Sequence, residues 1–181
     1  SAGEKIDNSI DPSTGTQIFS LYGSTKKPSA SMLKGVDVVV FDIQDVGARF
    51  YTYISTLHYI MEACAELKIP LIVLDRPNPN GFYVDGPVLD KSFSSFVGMQ
   101  PIPVVHGMTV GEYALMICGE GWLTPGNDYA DPKRLITIIP CLHYDHNTKY
   151  ELPVNPSPNL RQMQSIYLYP STCFFEGTVL S

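Results

Sequence analysis

The sequence predicts an α/β domain, a mostly parallel sheet with helices on both faces, and three observations carry this. Short, continuously apolar runs recur, as in VVVF (38–41) and PLIVL (70–74), the mark of strands covered on both sides. Helical periodicity alternates with these runs. Polar residues follow the runs directly, at Asp42, Asp75 and His106, where an open α/β sheet places its ligand site.

The elements follow in order. Residues 1–27 are turn-rich, with Asp11-Pro12-Ser13-Thr14-Gly15 as a turn cluster and a short strand within Gln17 to Leu21. PSASMLKGV reads as a short helix stopping near Gly35. Asp37 to Asp42 is a strand. Thr52 to Leu67 is the strongest helix, with Ile54, Leu57, Met61, Cys64 and Ala65 on one face. PLIVLD (70–75) is the second buried strand, followed by a Pro-, Asn- and Gly-rich loop to Gly86. PIPVVHG gives a third strand ending near His106. A helix runs from Thr109 to Gly119, where Thr109 and Glu112 fit a capping box. Leu135 to Ile139 is a fourth strand. Proline-rich coil (153–158) precedes a last helix, Leu160 to Leu168, with Asn159 and Gln162 at capping spacing.

The totals exclude several classes. The 181 residues suit one domain, with 44% hydrophobic and 17% charged residues, a globular composition. Net charge is −6 with no basic block, which argues against nucleic acid as a partner. No apolar stretch reaches the length of a membrane span, and no leader is visible in residues 1–11. Oligomeric state is left open. Cys64, Cys118, Cys141 and Cys173 are widely spaced without a C-x-x-C, and Cys64 and Cys118 read as core thiols.

The chemistry-bearing stretches narrow the choice further. FDIQDV resembles the nucleophile motif of aspartate-based phosphatases, but Gln44 stands where the second carboxylate belongs and cannot exchange protons. A dinucleotide site needs G-x-G-x-x-G, and Gly47 stands alone. There is no Walker A motif and no G-x-S-x-G elbow. HYDH (143–146) has two imidazoles and a carboxylate but sits in coil before Asn147 without the rigid element a metal site needs, and reads as solvated loop. No cofactor and no metal are expected.

Read together, LYGSTKKPSASML, VVVFDIQDVGARFYTYISTL, PLIVLDRPNPNG, VVHGMTVGE and FFEGTVLS resemble the NamZ-type exo-β-N-acetylmuramidase family, nearly end to end and in the same order. The resemblance implies a glycoside hydrolase that removes N-acetylmuramic acid from the non-reducing end of peptidoglycan fragments. Its partner would be a muramic-acid-containing sugar or muropeptide, and its location periplasmic or secreted, with the cytoplasm as the alternative. It also implies a Rossmann-like domain joined to a smaller C-terminal domain, with the active site between them. Two departures stand out. The family's Pro-Glu-His-Gly stretch, upstream of the position matching Ala2 to Lys5, is absent, and its glutamate is a leading catalytic candidate. The family also continues past EGTVLS into a Gly-Arg-Gly-Thr stretch. Residues 1–181 are therefore expected to be most of the Rossmann-like domain, truncated at both ends.

Glycoside cleavage normally uses two carboxyl groups, about 5–5.5 Å apart for retention and about 6.5–9.5 Å for inversion. Asp42, Asp45, Asp75 and Glu176 are the candidates. Muramic acid carries a lactyl carboxylate, which a planar guanidinium holds bidentately, so Arg49 and Arg76 are expected to bind it. The alternative for Arg49 is an ion pair with Asp42 or Asp45, and for Arg76 one with Asp75. Tyr51 and Tyr53 would stack on the sugar or simply pack. Gln44, Asn78, His106, Glu112 and Asn159 complete the expected substrate contacts. The competing reading is a non-catalytic carbohydrate- or peptide-binding domain.

Overall fold

The computed structural model describes residues 7–23, 25–123, 135–176 and 178; the expectations about residues 1–6 and 179–181 fall outside these. Strands β1 (Ser9–Ile10) and β2 (Gln17–Ile18) pair antiparallel. The Asp11 carboxylate closes their turn by accepting from the Ser13 amide and the Thr14 hydroxyl. The stretch expected to be a helix before Gly35 is a turn. Only Met32 and Leu33 donate back to the Ser29 carbonyl, too few bonds to offset the cost of helix nucleation.

Strand β3 (Val39–Phe41) leads to helix α1 (Tyr53–Leu67), strand β4 (Leu71–Leu74), helix α2 (Val110–Gly119) and strand β5 (Ile136–Ile139). The three strands form a parallel sheet in the order β3-β4-β5, in register Val39 with Leu71 with Ile136. Lys68 ends α1 in the left-handed conformation (φ 57°), and the Ile69 amide returns to the Cys64 carbonyl.

Phe41, Leu71, Val73 and Ile138 share one sheet face and pack with Ile54, Leu57, Met61, Val110, Tyr113, Ala114 and Ile117 from α1 and α2. Both helices therefore lie on the same side. Successive right-handed crossovers that add strands in one direction allow nothing else. The parallel α/β architecture is as expected. Among the described residues, however, no helix covers the second face, where Val40 is 53% and Ile139 48% exposed. Cys64 sits in the core, and burial pushes its thiol up to about 11.

PIPVVHG is not a third strand of this sheet. Pro101 and Pro103 lack the N–H groups that a ladder needs. The segment instead crosses the rim, and Val105 bridges antiparallel to Ala48 and Asp85.

Helix α3 spans Met163–Thr172, starting three residues later than expected. Gln162, not Asn159, precedes it, with its amide donating to Ser165 Oγ. Pro170 lies inside α3, so the Ile166 carbonyl loses its usual helical donor. Asn80 Nδ2 supplies a replacement at 3.2 Å. A second cluster, Val46, Ala48, Leu160, Ile166, Tyr169 and Cys173, packs α3 against the loop after β3.

Proline-rich coil surrounds the carboxyl end of the sheet, and side-chain donors hold it by its carbonyls. Gln44 Nε2 donates to Pro77, Arg49 to Pro87, Tyr51 to Pro156 and Arg161 to Pro158.

Candidate functional site

Beyond the carboxyl ends of β4 and β5 lies a pocket of about 200 Å³, lined by Asp75, Thr109, Gly111, Glu112, Tyr144 and His146 among others. Asp75 follows β4 directly. Its Oδ2 accepts from Thr109 Oγ1 at 2.7 Å, and its Oδ1 accepts from the Gly111 amide at 2.8 Å and the Arg76 amide at 3.0 Å. The carboxylate thus caps the start of α2, where the helix dipole favours negative charge. Only glycine fits at 111, since a Cβ there would lie 2.8 Å from the Asp75 carboxylate and 2.7 Å from Ile138.

Glu112 completes the capping box expected from sequence, with Oε2 accepting from the Thr109 amide at 2.8 Å. Its Oε1 lies 2.9 Å from His146 Nε2, and His146 Nδ1 lies 3.0 Å from the Gly81 carbonyl. Both partners only accept, so the doubly protonated imidazolium satisfies both. The Glu112 contact, then the Gly81 carbonyl, raise the His146 pKa. Partial burial works to raise the Glu112 carboxyl, but the Thr109 amide and His146 outweigh it and hold the group below its ordinary value.

Arg76, next in sequence to the pocket-lining Asp75, reaches across to the end of β3. Its Nε donates to Asp42 Oδ1 at 2.7 Å, and a terminal nitrogen lies 2.7 Å from the same oxygen. That hydrogen bond holds the Arg76 pKa above its ordinary value. The pairing of Arg76 with Asp75 and that of Arg49 with Asp42 or Asp45 are both corrected. Asp75 is committed to α2, Asp42 takes Arg76, and Arg49 turns inward. Only 5% exposed, Arg49 donates through one terminal nitrogen to the carbonyls of Pro87 (3.0 Å) and Ile102. Burial lowers its pKa.

Asp45 is buried too. Its Oδ2 accepts from the Gly47 amide at 2.7 Å and lies 3.6 Å from His106 Nε2. His106 is not a strand-end residue. It is buried beside Asp45 and accepts the Met108 amide at Nδ1. Gln44 bridges the Asp45 and Pro77 carbonyls. Asn78 donates to the Met108 carbonyl, and Gly47 (φ +78°) passes so close to it that a Cβ would lie 2.2 Å from Asn78 Oδ1. Tyr51 donates to Pro156 at 2.6 Å and packs edge-on against Tyr53 and Tyr169. Asn159 is exposed, with its amide on Ser157 Oγ. Glu176 accepts from Tyr169 at 3.1 Å, against the second cluster.

The structure therefore brings Asp42, Asp75, Arg76 and Glu112 together at the sheet's carboxyl rim. Asp45, Arg49, Asn78 and His106 form a buried layer beneath the loops. Sequence reasoning missed Tyr144 and His146. HYDH is largely exposed, as expected, but Tyr144 and His146 fasten it to the neighbouring loops, and its polar composition beside a strand end was the only signal. Among the described residues, no three His, Cys, Asp or Glu side chains gather to hold a metal, and no helix is long and apolar enough to cross a membrane.

A parallel sheet with crossover helices and a polar pocket beyond its carboxyl ends defines a Rossmann-like α/β domain, with its candidate ligand site at that rim. Residues 1–164 match the family described as exo-beta-N-acetylmuramidase NamZ, N-terminal. The peptidoglycan beta-N-acetylmuramidase NamZ of Bacillus subtilis (strain 168) is 46% identical over 185 residues, covering 99% of this chain and 42% of the relative. Crystal structures of two DUF1343 family proteins from Bacteroides fragilis NCTC 9343 superpose closely. One has a TM-score of 0.83 at 54% identity, covering 93% of this chain and 45% of that one. The other has a TM-score of 0.79 at 38% identity, covering 92% and 43%. The chain belongs to the NamZ exo-β-N-acetylmuramidase family, in its N-terminal portion, and spans less than half the length of these relatives.

Proposed function

We propose that this chain is the Rossmann-like half of an exo-β-N-acetylmuramidase, a glycoside hydrolase that releases N-acetylmuramic acid from the non-reducing end of peptidoglycan fragments. The observation that carries this reading is the 46% identity, over 99% of the chain, with the Bacillus subtilis enzyme. The pocket at the ends of β4 and β5 is the sugar-receiving surface in this reading, lined by Asp75 and Glu112, with the Arg76–Asp42 pair following the neighbouring strand ends. The same reading puts the protein outside the cytoplasm, where peptidoglycan is.

Asp75 and Glu112 suit binding and charge stabilisation better than proton donation. A general acid must hold its proton near neutral pH, whereas the Glu112 carboxyl is held low. Asp75 serves only as an acceptor, with both oxygens engaged by α2 and its cap. The proton-donating carboxyl is therefore proposed to be neither Asp75 nor Glu112. Full-length protein and residues 1–181 alone are to be incubated with a chromogenic β-glycoside of N-acetylmuramic acid. Release of the chromophore by the full-length protein supports the proposal. Tight sugar binding without cleavage by the full-length protein would replace it with a non-catalytic carbohydrate-binding role.

A further inference from the structure

We infer that Arg76 is the residue that selects muramic acid, by holding the lactyl carboxylate of the sugar at the mouth of the pocket. The inference rests on the muramidase reading and deepens it. Muramic acid differs from glucosamine by one carboxylate-bearing ether, so a site that discriminates between them has to place that anion.

The pocket interior is the wrong place. Asp75, Glu112 and Asp145 line it, and its one base, His146, has both ring nitrogens committed to Glu112 and Gly81. An added carboxylate there meets like charges at short range. Arg49, the other arginine near the rim, is buried with one terminal nitrogen on two backbone carbonyls. Moving it to a ligand would strip those carbonyls of their donor.

Arg76 has the opposite character. It follows Asp75 at the end of β4, its side chain is 40% exposed, and it lies within electrostatic range of Cys141, which lines the pocket. Nε and one terminal nitrogen converge on a single oxygen of Asp42, so Nη1 makes no hydrogen bond among the described residues. The guanidinium is thus oriented by Asp42 while keeping donors in hand. A planar fork in that state matches a carboxylate bidentately, which an ammonium cannot do. Asp42 is then a positioning residue. It aims the guanidinium and neutralises it while the site is empty.

The test uses the full-length enzyme, wild type and Arg76→Lys, on two chromogenic glycosides: N-acetylmuramic acid and its lactyl amide. The expected result is a loss of roughly 10-fold or more in kcat/KM on the acid, mostly through KM, little change on the amide, and an unchanged Tm. Equal losses on both sugars overturn the inference, as does a selective loss on the acid in Arg49→Lys but not in Arg76→Lys. If wild type cleaves neither glycoside, the muramidase reading fails. Calorimetry with free N-acetylmuramic acid then decides the Arg76 claim separately: weaker binding to Arg76→Lys than to wild type supports it, and equal affinity or no binding overturns it.

Discussion

The Tyr144 hydroxyl holds the backbone of Asn78 at both ends, accepting from its amide at 3.1 Å and donating to its carbonyl at 3.0 Å. One oxygen thereby joins the loop after β5 to the loop after β4, two segments whose contact residues lie 66 positions apart.

Tyr144→Phe removes both bonds while keeping the ring. With Asn78 buried, each orphaned backbone group costs on the order of 1–3 kcal/mol. The expected outcome in a thermal melt is a Tm several degrees lower, with the secondary-structure signal unchanged below the transition. A Tm equal to wild type would show that the clasp contributes nothing.

Gly47 and Gly15 both have positive φ, at 78° and 72°, but their surroundings differ. Nothing lies within 4 Å of a Cβ at 15, whereas one at 47 would overlap the Asn78 amide. Gly15→Ala is expected to cost about 1–2 kcal/mol from backbone strain alone. Gly47→Ala is expected to cost clearly more, because Asn78 is pinned by Met108 and Asn80 and cannot retreat. Denaturant melts of the two variants side by side test the order.

The His146–Glu112 contact has a definite pH window. The His146 pKa is raised above 6.5, so its contribution is complete below that value and lost as pH rises through the folded pKa. The Glu112 pKa is lowered below 4.5, so its contribution is complete above that value and lost as pH falls through the folded pKa. The pair is therefore strongest between these ordinary values. Both side chains are nearly half exposed, which limits the effect to about 0.2–1 kcal/mol. Glu112→Gln keeps the cap and removes the charge. The Tm difference between wild type and this variant is expected to peak between the two ordinary values and to shrink as pH rises through the folded His146 pKa; a difference flat with pH refutes the pairing.

Asn80 has no exposed surface, and its Nδ2 serves the carbonyls of Val46 and Ile166. Pro170 cannot serve the second of these. Asn80→Ala should therefore loosen α3 selectively, raising amide hydrogen exchange at Tyr167 and Tyr169 more than in α1. Uniform exchange across both helices would show that the link is not local.

The legible parts of this fold were those set by local pattern. Apolar runs ending in Asp42 and Asp75 marked the strand ends, and Thr109 with Glu112 marked a helix start through a bond three residues long. The illegible parts were set across the chain. PIPVV looks like a strand by composition, yet two prolines remove the donors that would make it one. Arg49 looks like a substrate clamp because its partners are carbonyls, which every residue carries and no sequence pattern advertises. His146 reaches Glu112 across a sequence separation of 34 positions, only once the segment between them has folded.

The proline-rich coil at the rim is gripped by donors on Gln44, Arg49, Tyr51 and Arg161. Proline offers a carbonyl and no N–H, so each of these four bonds runs one way, from a specific side chain to an anonymous acceptor. Tolerance to mutation is divided accordingly. An acceptor position can change its side chain and still present the same oxygen, provided the backbone stays extended, while a donor position has few substitutes. A library that randomises the acceptors and preserves the four donors would keep the rim's shape, and the reciprocal library would lose it. The shape of this surface is thus stored in a few residues that never need to touch a ligand, leaving the loops between them free to drift toward new ones.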